Sequence, residues 1–142
     1  MLSFFSASNS LVHSGKAMLE CLEKALPNNS PTLFEEPLLI VIHSTIGHDF
    51  AELLTAAKQR CPNATIVGCT CAGVIGVEGA DESMRALGIM VIHAQQAGEY
   101  CIASCENIRG DNSYEEAQKM AQSLKEQSDD IKMIHILASG ID

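Results

Sequence analysis

The sequence predicts an α/β fold: a mixed, mainly parallel sheet flanked by helices, with one β-hairpin. Three observations carry this. Continuous apolar runs at 38–42 and 86–92, and an apolar run at 131–138 broken only by Lys132 and His135, have the composition of buried strands. Between them lie segments with apolar residues at helical spacing, several preceded by capping signals. The alternation of the two kinds of segment places helices against a sheet. With 142 residues, of which 46% are hydrophobic, the chain can build one domain around its own core.

In chain order, Ser6-Ala7-Ser8 opens ahead of a helix over 14–26, whose stripe is Met18, Cys21, Leu22 and Ala25. Ser14 stands where an N-cap is needed, and Pro27 to Pro31 stops the helix. A strand over 38–42 follows Pro37. Asp49 and Glu52 have capping-box spacing ahead of a second helix with Phe50, Leu53, Leu54 and Ala57 on its apolar face. Cys61-Pro62-Asn63 ends that helix, and Ala64 to Val67 forms a brief strand leading into Gly68. After the strand at 86–92, Gly98 marks a turn and 99–105 returns as the second arm of a hairpin. Ser113 and Glu116 repeat the capping-box spacing before a helix carrying Ala117, Met120, Ala121 and Leu124. Ile131 to Ala138 is the last strand. The chain stops just after it, at Asp142, where an α/β protein would enter its next loop and helix, so 1–142 is expected to be incomplete at its C-terminus. A sheet edge exposed in this way recruits other chains, and self-association is expected.

A net charge of −9 excludes nucleic acid and disfavours anionic membranes as partners. No apolar run approaches the roughly 20 residues that span a bilayer. Met1 to Ser6 lacks the basic residue and long apolar stretch of a secretory signal. The six cysteines lie mostly inside apolar patterns, which points to reduced thiols and a cytoplasmic location.

Three strand ends run into polar or glycine-rich stretches: His43-Ser44-Thr45 with Gly47, Gly68-Cys69-Thr70-Cys71-Ala72-Gly73, and Ser139-Gly140. In open α/β sheets ligands bind at the carboxyl ends of strands. Small residues there let a ligand approach the backbone, although tight turns use the same residues.

The stretch Thr65-Ile66-Val67-Gly68-Cys69-Thr70-Cys71-Ala72-Gly73-Val74-Ile75 resembles the signature loop of the FIST family, named for F-box and intracellular signal transduction proteins. The helix with Asp49, Leu53 and Leu54 ending at Cys61-Pro62, the stretch Ser83 to Val91, and the opening Ser6-Ala7-Ser8 are similar in order and spacing. The resemblance implies the N-terminal part of an intracellular small-ligand sensor of bacterial signalling, with amino acids as proposed ligands and a signalling output module as partner. It also implies a second class, because some members resemble haem-binding nitric-oxide sensors. Here Val74 stands where a glutamate is common, and Cys71 where another small residue is usual. On this basis Ser44, Thr45, Gly68, Cys69, Thr70, Cys71, Gly73, Arg85 and Ser139 are the candidate ligand-binding residues.

Cys69 could serve as a nucleophile at a helix N-terminus, or be a small buried residue; the second is favoured. No Asp/His pair stands at a recognisable spacing to it, which argues against a cysteine-dependent enzyme. The spacings of Cys69 with Cys71 and of Cys101 with Cys105 do not make a zinc site. For haem, His43 and His93 end strands, His48 lies beside Gly47, and His135 is within an apolar run. The absence of Trp and an aromatic content of 4% oppose haem. A ligand carboxylate would find Arg85 or Arg109, each flanking a strand.

Overall fold

Two units divide the chain: Leu2–Ala94, and Gln95–Asp142 with Met1. A computed structural model describes residues 1–26, 31–95, 99–106 and 108–137.

The first unit contains β1 (Leu2–Asn9), α1 (Ser14–Ala25), a 3₁₀ turn (Pro31–Glu35), β2 (Leu38–Ser44) and α2 (Phe50–Arg60). It continues with β3 (Thr65–Thr70), β4 (Val74–Gly76), β5 (Gly79–Asp81) and β6 (Leu87–Ala94). Four strands form a sheet in the order β1-β6-β2-β3, and β4 pairs with β5 in a separate hairpin. β2 and β3 are parallel neighbours joined through α2, the crossover a parallel pair requires. β6 runs antiparallel to both β1 and β2 and is inserted between them. Three of the four strands therefore point the same way, as expected, yet only one of the three ladders is parallel.

Alternation sorts the sheet into two faces. Leu38, Ile40 and Ile42 of β2 and Leu87, Ile89 and Val91 of β6 join Met18, Cys21 and Leu22 of α1 and Leu53 and Ala57 of α2 in the main core. Phe5 and Ala7 of β1 and Ile66 of β3 pack against it. The opposite face carries Leu39, Val41 and Ile92, also buried.

Both helices of this unit form where expected. Asp49 caps α2, its carboxylate accepting the Glu52 N–H at 3.0 Å. Ser14 does not cap α1; His13 holds that position without a side-chain bond, and the Ser14 hydroxyl reaches the start of α2 instead.

β1 lies where no strand is expected from Ser-rich sequence. Its eight residues are held by continuous pairing, Leu2–Asn9 against Ala94–Leu87, a tertiary contact that outweighs weak strand propensity. The hairpin also differs from expectation. Residues 99–106 are irregular, and the hairpin is β4–β5, turning through Val77-Glu78 with Gly79 at φ +114°.

In the second unit α3 (Ser113–Gln127) is the one regular element among the described residues. Ser113 begins the helix rather than capping it; Asn112 is the cap residue, and Glu116 pairs with Lys119. Residues 131–137 form no strand, with Met133, Ile134 and Ile136 exposed: an apolar run makes a strand only where a neighbouring edge pairs with it. Ala138 lies outside the described residues. No helix among the described residues is long and apolar enough to cross a membrane.

Candidate functional site at the carboxyl end of the sheet

Parallel pairing of β2 with β3 brings two of the three expected strand ends together. His43 faces Cys69 and Ser44 faces Thr70 across the ladder, and the Cys71 N–H donates to the Ser44 carbonyl at 3.0 Å. The third, at Ser139, lies outside the described residues.

Ser44 and Thr45 occupy the right place but are turned inward. Both are buried, and the Ser44 hydroxyl donates to the Thr45 carbonyl at 3.0 Å. The Thr45 hydroxyl accepts the Ala86 N–H at 2.9 Å, and the Thr45 N–H donates to the Ala86 carbonyl at 3.0 Å. These bonds fasten the end of β2 to the start of β6. His48 works beside them. Its Nε2 lies 2.8 Å from the Arg85 carbonyl, which can only accept, so Nε2 carries the proton. Nδ1 then accepts from the Ser14 hydroxyl at 3.2 Å, and that oxygen accepts the Asp49 N–H at 3.0 Å. Both His48 nitrogens are engaged within a buried network, which removes this residue as a haem ligand. Arg85 is exposed at the same end, with Nη1 donating to the Val12 carbonyl. Arg109 lies in the second unit.

The glycines of the signature stretch are crowded by the chain itself. A Cβ on Gly68 would fall 2.3 Å from the Ile42 carbonyl oxygen, and one on Gly73 would fall 2.9 Å from that of Asp81. Gly47 is similar, with the Met84 oxygen at 2.2 Å. Their smallness has a packing cause.

What remains open is the outer part of β3. Thr70 is exposed, while Cys69 and Cys71 are half-buried. Burial pushes the Cys71 thiol up, a shift that a hydrogen bond from the Gly73 N–H partly offsets. On the face opposite the helices, the registers align Ser8, Gly88, His43 and Cys69 in one row across the sheet. β4 lies over the first half of this row: a Cβ on Gly88 would meet Val74 at 3.3 Å, and one on Gly76 would collide with the Ser8 hydroxyl. At the other end of the row, His43 Nδ1 and Cys69 Sγ are 3.4 Å apart. Sequence spacing hides this pair, because 26 residues and a helix separate its members. Two adjacent parallel strand ends, aligned at their last residues, were the signal that could have found it.

No group of three His, Cys, Asp or Glu among the described residues could hold a metal ion. His43 Nδ1 faces sulfur, His93 is half-buried in β6 and His135 sits in the exposed irregular segment. A groove of about 430 Å³ along Leu54, Thr55, Lys58 and Gln59 belongs to the surface of α2 alone, and one helix cannot enclose a ligand.

No curated protein matches the chain. The family model described as the FIST N domain matches residues 37–142, from the residue before β2 to the last of the chain, and leaves β1 and α1 outside it. More than half of the chain, including both parallel strands and the Gly68–Gly73 stretch between them and the β4–β5 hairpin, lies within that match, and the chain belongs to the FIST family.

Proposed function

We propose that the chain is the small-ligand-binding part of a bacterial signal-transduction protein, working in the cytoplasm and holding its ligand at the carboxyl ends of β2 and β3. FIST domains are signal-transduction sensory domains. The observation that carries the placement is the division of labour at this edge. Ser44, Thr45 and His48 spend their side-chain polar atoms inside a buried network, while the side chains of Cys69 and Thr70, at the end of edge strand β3, and of Cys71 just after it lie outside that network. Arg85, at the same end, supplies a guanidinium suited to a carboxylate. A free amino acid fits these groups, and the bound state would be passed to an output module without turnover of the ligand.

The test is a thermal-shift titration of the chain with a panel of free amino acids, repeated on Thr70→Val and Arg85→Gln. A saturable rise in Tm for one class of amino acid, lost in both variants, is expected. No shift with any of them, or a shift indifferent to both variants, would overturn the amino-acid reading. Recovery of a chemically altered ligand would move the chain to the enzyme class. A Soret band after expression with haem supplied would move it to the haem class.

A further inference from the structure

The six cysteines are all unpaired, but their surroundings differ sharply. Cys21 and Cys61 are fully buried. Burial pushes the Cys21 thiol up to about 12 and raises that of Cys61 as well. Cys71 is also raised by burial, and Cys105 has its sulfur 2.9 Å from Met120 Sδ. Cys101 is half-buried in an irregular segment of the second unit. Cys69 stands on an edge strand with an imidazole nitrogen in contact. That contact follows from backbone register, because His43 and Cys69 are directly opposed residues whose side chains share a face. An imidazole touching a thiol is the arrangement that converts a weak nucleophile into an active one.

We propose that Cys69 is an attachment site for soft electrophiles of the α,β-unsaturated carbonyl class, with His43 taking the thiol proton. The sulfur electron pair forms an S–C bond at the β-carbon. The π pair of the C=C bond moves toward the carbonyl as an enolate, and the proton held on His43 Nδ1 passes to the α-carbon. Nothing leaves and no oxidant is needed, so the adduct itself is the bound state. The inference rests on the ligand edge proposed above but is measured separately from it.

The experiment exposes the whole native chain to limiting iodoacetamide, and in parallel to methyl vinyl ketone, near neutral pH, and maps modified peptides by mass spectrometry over time. Cys69 is expected to react first with both reagents. In His43→Gln its rate should fall about tenfold, from loss of the positioned base, while the rate at Cys71 holds. Another cysteine reacting first, or an unchanged Cys69 rate in a folded His43→Gln protein, overturns the proposal. Buried Cys21 reports folding: if it becomes reactive in His43→Gln, His43→Asn takes its place, and the wild-type order of reaction decides by itself. The amino-acid titration is scored independently. Fast Cys69 alkylation without any amino-acid shift supports the pair and removes the amino-acid ligand; an amino-acid shift with Cys69 reacting no faster than the others does the reverse.

Discussion

Thr45→Val separates holding the strand ends from holding a ligand. Valine matches threonine in shape, so no cavity opens, and the change is confined to the hydroxyl. That hydroxyl accepts the N–H of Ala86, a fully buried residue, at 2.9 Å. Removing it leaves that N–H only its longer bond to the Ser83 carbonyl, at 3.3 Å, so the cost is part of the about 1–3 kcal/mol that a buried N–H with no acceptor would carry. Relief from burying the hydroxyl offsets part of this, and a net loss of about 1 kcal/mol is expected, or roughly 4–8 °C in Tm for a unit of this size. Thr70→Val, at an exposed position, should stay within about 0.5 kcal/mol of wild type. The assay is urea unfolding followed by far-ultraviolet circular dichroism. Trp is absent, and Tyr100 and Tyr114 both belong to Gln95–Asp142, so tyrosine fluorescence is no direct probe of Leu2–Ala94. A Thr45→Val protein as stable as wild type, or a Thr70→Val protein that loses more stability than Thr45→Val, would refute the assignment.

Other consequences can be measured in the same preparations. The Cys21 pKa is raised from 9.0 to about 12, so the native state keeps a proton that the unfolded chain releases. Its contribution is complete below pH 9 and is lost as pH rises toward 12, by about 1.4 kcal/mol per pH unit; alkaline urea titrations should show this slope, and Cys21→Ala should flatten it. Gly73→Val must fit a Cβ at 2.9 Å from the Asp81 oxygen and should cost roughly 1–3 kcal/mol by overpacking, measured by thermal unfolding; an undiminished Tm would show that the turn yields freely. Met133, Ile134 and Ile136 are exposed, and we expect them to drive self-association of the chain. Sedimentation at rising concentration tests this, with a monomer throughout, or an association that persists in Ile134→Lys/Ile136→Lys, as the contrary result.

Much of the fold was legible because its signals are local. The Asp49 cap, the stripes of α1 and α2, and the apolar runs of β2 and β6 each express burial or an unpaired N–H within a few residues of sequence. β1 was not legible for the opposite reason. Phe5 and Ala7 point to the core from a segment that also carries Ser3, Ser6 and Ser8, and the strand exists because β6 offers an edge along its whole length. The run at 131–137 shows the converse: apolar composition without a partner edge leaves the backbone irregular. The hairpin at β4–β5 has strands of three residues each, too short for any periodicity to be seen.

The site divides along the same line, and here the division bears on function. Sequence identifies the stretch Gly68–Gly73 by its small residues, and two of its glycines are crowded by the carbonyls of Ile42 and Asp81. It selects Ser44 and Thr45 by position at a strand end, where pairing turns them inward. The two groups with chemistry to offer, His43 and Cys69, meet only because β2 and β3 are parallel and in this register. A slip of one residue would send Cys69 to the helix-covered face and leave His43 opposite Gly68 or Thr70. The Thr45–Ala86 bonds and the Cys71–Ser44 bond, which fasten the ends of β2, β3 and β6, are therefore also what keeps the imidazole and the thiol in contact. Loosening them should slow Cys69 alkylation before the sheet unfolds. In Thr45→Val, the Cys69 rate measured well below the unfolding transition should fall toward that of His43→Gln. A rate equal to wild type would show that the pair is held by β2 and β3 alone.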